Sequence, residues 1–324
     1  MKTSARSVAL ALVLLSTLVV FPLVGGRYEI DLLAKIFVMA IFALSLELLV
    51  GQTGLVSLGH AAFIALGAYT TALLLQAPEP RSFFVLALAA MAAAGLYAAP
   101  VAALSLRTRG VYFIMITLAF AQLVYYLFHD TPIAKGSDGI YLNGAPELSL
   151  FGWVPFDVTR SVPFYYTALI ALVLTFVLLA LIKRSRFGRA LAGIRVNEQR
   201  MRAAGFPTYP YKIAAFVLSA MLAGLAGFLK ATKDGYVNPE LASWHESGAV
   251  LLMLILGGLG HLRGAVLGAF AFVLLQEFFK SDAIFGEFAK RWQLMLGLVI
   301  IACVLLLPHG LIGLPQRFRR RSHG

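Results

Sequence analysis

Residues 164–182, FYYTALIALVLTFVLLALI, run for 19 positions without a charge. As a helix rising 1.5 Å per residue, such a stretch reaches about 28 Å, close to the roughly 30 Å hydrocarbon core of a bilayer. It lacks the polar–apolar alternation of a barrel strand, and only helices or closed barrels satisfy the backbone inside lipid. Comparable apolar runs occupy 8–24, 32–50, 58–76, 83–104, 111–128, 211–230, 247–260, 264–279 and 292–307. The expectation is an all-α, polytopic membrane bundle of eight to ten transmembrane helices in a single permease-sized domain, 1–324.

Composition agrees with that reading. Of 324 residues, 60% are hydrophobic and 13% charged, about half the usual ~25% charge of a soluble domain. The mean hydropathy is +0.85. A disordered chain needs the opposite balance, and one water-soluble core cannot hide this much apolar surface. The single cysteine, Cys303, excludes a disulfide framework, and the six histidines are scattered without metal-ligand spacing.

Two places are softer. Residues 1–26 resemble a signal peptide but lack an Ala-x-Ala-like site, so they read as a retained first helix. The runs 247–260 and 264–279 are short, and both a re-entrant hairpin and two crossings are compatible with them.

Charge sets the direction. With the N-terminus inside, 17 of the 27 Lys and Arg residues fall in inner segments together with one acid, Glu198. They include Arg107, Arg109, the block 183–212, Arg263 and the tail Arg317, Arg319, Arg320 and Arg321. The remaining basic residues share the outer segments with 13 acids, and Glu47 is the one acid expected well inside a span. This is the positive-inside pattern. The net charge of +12 is therefore a topology signal, which argues against nucleic acid as a partner, and both termini are expected on the inner side.

Several motifs stand out. Gly51, Gly54 and Gly59, with Ser57 and His60, interrupt the pattern between the second and third runs. Glycine costs a helix ~1 kcal/mol relative to alanine, so either a broken segment lining a cavity or a tight turn fits here. Gly260/Gly264/Gly268, Ala220/Gly224 and Ala223/Gly227 are small-xxx-small series suited to close helix packing. Ser243-Trp-His-Glu246 has the spacing of a capping box. Block 183–212 holds eight basic residues and reads as a short helix from about 188 to 204, stopped by Gly205 and Pro207. An ionisable residue in a span faces a bundle interior or a wet path, so Glu47 is a pathway candidate, or a brace for the broken segment through Gln52, His60 or Gln122.

Some function classes drop out. There is no Gly-x-x-x-x-Gly-Lys-Ser/Thr loop, so ATP hydrolysis belongs to another chain. No His-Glu-x-x-His occurs, and Glu47 lacks an acidic partner for intramembrane catalysis. A channel gives no reason for the basic inner loop.

The stretch 51–69, GQTGLVSLGHAAFIALGAY, resembles the signature of the M-type permease subunit of branched-chain amino acid (Liv-type) ABC transporters. RTRGVYFIMITLAFAQ at 107–122, GSDG at 136–139, SRFGRALAGIRVNE at 185–198, LGGLG at 256–260 and GLIG at 310–313 match it in order. The resemblance implies a non-catalytic inner-membrane subunit that forms half of a pathway for leucine, isoleucine and valine. Urea, amides or other amino acids are alternative cargoes. It implies an H-type second permease, two cytoplasmic ATPase subunits that bind the ATP, and a periplasmic binding protein facing loop 129–163. No cofactor is expected in this chain. Pathway candidates are Glu47, Gln52, Ser57, His60 and Gln122. Segment 194–205 is similar to the coupling region of ABC importer permeases, which makes Arg195, Asn197, Glu198 and Gly205 the candidates for contact with the ATPase.

Overall fold

A computed structural model describes residues 5–76, 81–144, 146–147, 160–307 and 309–313. The basic tail 317–321 and Pro155 of the 129–163 loop lie outside the described residues. Helices make up nearly all of the described chain. They are α1 (Ala5–Val20), α2 (Arg27–Thr53), α3 (Ala61–Leu74), α4 (Phe83–Ser105), α5 (Val111–Asp130), α6 (Ser161–Arg184) and α7 (Arg186–Val196). They continue with α8 (Glu198–Ala203), α9 (Thr208–Asp234), α10 (Trp244–Gly257), α11 (Leu262–Phe279), α12 (Asp282–Phe285) and α13 (Trp292–Leu306). Among the described residues, α2, α4, α5, α6, α9, α11 and the stretch Gly286–Gly313 containing α13 are long and apolar enough to cross a membrane. The chain is a multi-pass, helical membrane protein.

Helix α2 is the axis, buried almost continuously from Ile36 to Thr53 and surrounded by α6, α9, α10 and α11. Lipid is as apolar as leucine, so close backbone approach and not water exclusion holds such helices together. The α3–α9–α4 layer shows how. A Cβ on Gly67 would collide with the Gly224 carbonyl, and one on Gly227 with the Ile64 carbonyl. The expected Gly224 and Gly227 seam is therefore the α9 face that receives α3 and α4. A second seam joins α10 to α11, where Gly257 meets Gly264 and Gly268 meets the Met253 carbonyl. Outward faces are apolar, with Leu174, Leu181 and Leu305 exposed, as lipid contact requires.

Hydrogen bonds fasten the periphery. Tyr165 and Tyr166 donate to the Leu18 and Val19 carbonyls (2.7 and 3.0 Å), tying α1 to α6. At one end of the bundle, strand β1 (Ile140–Tyr141) pairs antiparallel with β2 (Tyr236–Val237). Gln76 donates to the Tyr141 carbonyl there (3.0 Å), so the loop after α5 covers the far end of α3. The opposite end carries α7, α8 and their basic residues. These are called below the loop end and the basic end. Helix α2 runs from the first, where Tyr28 donates to Glu277 of α11 (2.5 Å), to the second.

The basic segment differs from the single helix expected over 188–204. Asn197 is extended (φ −159°), and the chain restarts as α8. Ser185 Oγ accepts from the Gly188 N–H to cap α7, and Asn197 Oδ1 accepts from the Arg200 N–H (2.9 Å) to cap α8. Two good N-caps twelve residues apart, Ser185 and Asn197, win over the continuous helical propensity between them.

Candidate functional site

Helix α2 ends at Gly54, whose φ of +75° is the left-handed cap that glycine adopts without strain. The chain then doubles back. His60 Nε2 lies 2.8 Å from Ser45 Oγ, and Ser45 sits two turns before Thr53, about 12 Å inside the helix end. The Ser45 hydroxyl is already donated to the Phe42 carbonyl (2.7 Å), so His60 is the donor through Nε2–H. Its ring stacks on Phe42 at 5.4 Å. Helix α3 therefore begins inside the bundle. With 14 residues it reaches only about 21 Å, two-thirds of a membrane. Of the two readings open for 51–60, the broken segment is the observed one.

Helix α10 is its counterpart. It too has 14 residues, and it also starts inside. The chain descends from β2 along α3 and α5 as a 3-10 turn, Pro239–Ala242, before α10 begins. The two starts touch: the Ala61 N–H, first in α3, donates to Ser247 Oγ in the first turn of α10 (2.9 Å). Helix α3 then runs to the loop end and α10 to the basic end. So α11 has the length of a crossing while α10 is a short helix ahead of it.

At the basic end both breaks meet the segment between α6 and α9. Arg195 of α7 donates to the Gly51 carbonyl in the last turn of α2 (2.5 Å). A Cβ on Gly260, in the α10–α11 turn, would lie 3.3 Å from Arg195 Nη1. Lys183, in the last turn of α6, donates to the Gly260 carbonyl (3.0 Å). Glu47 is buried beneath this junction at 0% exposure. Neither carboxylate oxygen has a well-formed hydrogen bond, and the Gly260 amide, Lys183 and Arg195 are the groups acting on it. Gly51 makes the room, because any Cβ there would strike the Glu47 carboxylate.

Beyond the junction, Glu198 locks α8 to α9. It accepts from Arg202 (2.6 Å), Lys212 (2.9 Å) and the Thr208 hydroxyl (3.0 Å). Partial burial by itself would raise this carboxyl, but the Lys212 hydrogen bond and charge, with Thr208 and Arg202, pull it down to about 2. Gly205, at φ +84°, ends the motif with open space around it. Val196 is 83% exposed and Phe206 is exposed beside the basic groups.

The candidates thus separate into groups. Ser57 and His60 hold the α3 start; Ser57 Oγ accepts from the Gly59 N–H (3.1 Å). Gln52 is buried, and Gln122 is half-buried on α5. No hydrogen bond among the described residues links Glu47 to Gln52, His60 or Gln122, so the expected brace is replaced by the junction with Arg195 and Lys183. The capping box is also absent: Ser243 makes no side-chain cap. Glu246 instead borders a cavity of about 570 Å³ between α2, α10, α11 and α13, together with Lys35 and Lys230. Sequence reading passed over this trio. The signal that could have found it is the i, i+4 recurrence of Arg27, Asp31 and Lys35, because α2 starts at Arg27, two turns before Lys35.

Comparison with known proteins places these features in one lineage. Residues 29–305 match the family model described as branched-chain amino acid transport system / permease component. The chain is 33% identical to the high-affinity branched-chain amino acid transport system permease protein LivM of Salmonella typhimurium, over 92% of this chain and 73% of that protein. To LivM of Escherichia coli it is 32% identical, over 96% and 76%. A more distant relative is the galactofuranose transporter permease protein YtfT of Escherichia coli, 27% identical over 92% and 87%. No solved structure matches. The chain belongs to the branched-chain amino acid transport system permease family.

Proposed function

We propose that this chain is the inner-membrane permease subunit of an ATP-driven importer of leucine, isoleucine and valine. It forms half of the translocation pathway beside a second, H-type permease. Two cytoplasmic ATPase subunits bind the ATP, and a periplasmic binding protein delivers the cargo. The chain itself is non-catalytic and carries no cofactor. In this reading the basic end and both termini are cytoplasmic, and loop 129–163 is periplasmic, following the Lys/Arg bias.

The observation that carries the reading is the junction at Arg195. One side chain of the exposed α7–α8 segment grips the end of α2 and approaches the α10–α11 turn. A displacement of α7 by an ATPase is thereby transmitted to both short helices at once. The exposed Val196 and Phe206 offer that ATPase an apolar contact. Glu198 keeps α8 fixed to α9, so that the segment moves as a unit.

Expression with its cognate subunits and measurement of binding-protein-dependent uptake tests the proposal. Radiolabelled leucine, isoleucine and valine enter in an ATP-dependent manner, whereas preference for urea, an amide or a sugar reassigns the cargo. Glu198→Ala and Gly205→Glu assemble poorly with the ATPase or uncouple hydrolysis from uptake. Normal assembly and uptake in both removes the coupling role. On a Cys303→Ser background, labelling of a Ser185→Cys variant by an impermeant thiol reagent from outside reverses the orientation.

A further inference from the structure

The cavity between α2, α10, α11 and α13 has unusual chemistry for a membrane interior. Its volume, about 570 Å³, lies within the roughly 300–1,000 Å³ of small-molecule sites. Lys35 is eight residues into α2, about 12 Å below the loop end. Glu246 is in the first turn of α10. Neither side chain makes a hydrogen bond or ion pair with another described residue. Lys230 is already bonded to Asp234 (3.0 Å), and the charges of Lys230 and Lys35 reach Glu246 without contact. Ser243 gives α10 no side-chain cap, and the Glu246 N–H is bonded to the Ser243 carbonyl (3.2 Å). Deeper along the same helices the lining turns apolar, with Met39, Met253, Phe272 and Ile300.

A cation and an anion left unpaired around one cavity of a membrane bundle are costly. A ligand with both charges and a short apolar side chain satisfies them together. We infer that this cavity is the site where the permease holds its cargo, a zwitterionic α-amino acid with an apolar side chain. The carboxylate meets Lys35, the ammonium meets Glu246, and the side chain rests on the Met39–Ile300 floor. The inference rests on the importer reading above and adds the residues that select the zwitterion.

The test uses the complete transporter, with Cys303→Ser and Gly248→Cys in this chain. Gly248 lines the cavity, and nothing lies within 4 Å of a Cβ placed there. Leucine slows alkylation of the new thiol severalfold; leucinamide, lacking the carboxylate, and 4-methylpentanoate, lacking the ammonium, do not. Glu246→Gln or Lys35→Met abolishes that protection. Each also cuts leucine uptake roughly ten- to a hundredfold, the scale of one charge-assisted hydrogen bond, while the subunits still assemble. Gly297→Leu fills the cavity from α13, where a Cβ also has open space, and lowers uptake without altering either charge. Wild-type leucine uptake in all three variants, or equal alkylation with and without leucine, overturns the site while the importer reading stands. If the unmodified complex imports some other cargo and no branched-chain amino acid, the importer reading itself fails.

Discussion

Helices α3 and α10 have the same length and start against each other, yet their starts are opposites. At α3 the polar groups are matched within the protein, except His60 Nδ1, which is buried without a partner. Ser57 accepts from Gly59, Ser247 accepts from Ala61, His60 donates to Ser45, and the surroundings are buried. At α10 the cap is missing, and Glu246 and Lys35 face a cavity without partners. Inside a membrane an unmatched polar group is expensive, so the contrast separates a part built to stay dry from one built to be wetted or occupied. The α3 start is scaffold, and the α10 start is the working surface.

The sharpest break in this comparison comes from the scaffold side. Gly67→Leu or Gly227→Leu forces α3 off α9, where backbone meets backbone. A loss of about 3 kcal/mol or more is expected from such overpacking. Size-exclusion profiles and melting in detergent should show little folded protein. Retention of native melting would mean that α3 is not clamped.

Ser247→Ala leaves the Ala61 N–H without its acceptor. A buried unsatisfied donor costs about 1–3 kcal/mol, so the melting temperature should drop while the α10 cavity stays intact. A melting temperature equal to wild type would show that the two starts are not joined through this bond.

Glu47 belongs to neither class cleanly, since it is as buried as the scaffold and as unmatched as the cavity. Glu47→Leu should lower uptake by roughly tenfold, a loss of about 1.4 kcal/mol, more than it lowers membrane levels. Glu47→Gln should be milder if hydrogen bonding toward Gly260 outweighs charge. Equal, wild-type uptake by both variants at matched levels would remove Glu47 from the machinery.

The smallest effect is expected at Glu198. Its carboxyl is held at about 2 in the folded chain, below its unfolded range near 4.3. The stabilising contribution is therefore complete above the unfolded value and disappears as pH falls through the folded one. Proteolysis of the α7–α8 segment in detergent should be constant from about pH 8 to 5 and accelerate only below about pH 4. Acceleration already between pH 7 and 6 would contradict the Lys212 pairing.

Much of this was legible from residue types. Long uncharged runs marked the helices, Gly51, Gly54 and Gly59 marked an interruption that fitted a broken segment and a turn alike, and the Gly224 and Gly227 series marked a close-packing face without its partners α3 and α4. Ser243-Trp-His-Glu246 misled because the spacing is right for a cap and Ser243 has an extended backbone, yet its hydroxyl makes no bond to the helix amides. Lys35 was hidden because a lysine near the edge of an apolar run looks like a boundary, whereas α2 had already begun at Arg27. Asn197 splits the basic segment because a local side-chain cap outcompeted helix propensity. In each case a contact distant in sequence, or a cap of one residue, decided what periodicity alone could not.

Thiol accessibility compares the two helix starts directly. In the assembled transporter on a Cys303→Ser background, Ala61→Cys probes the α3 start and Gly248→Cys the α10 start, each with a small water-soluble thiol reagent. The sealed scaffold and open working surface predict rapid labelling at position 248 and essentially none at 61 unless the protein is unfolded. Equal rates at the two positions, or faster labelling at 61, would contradict the distinction.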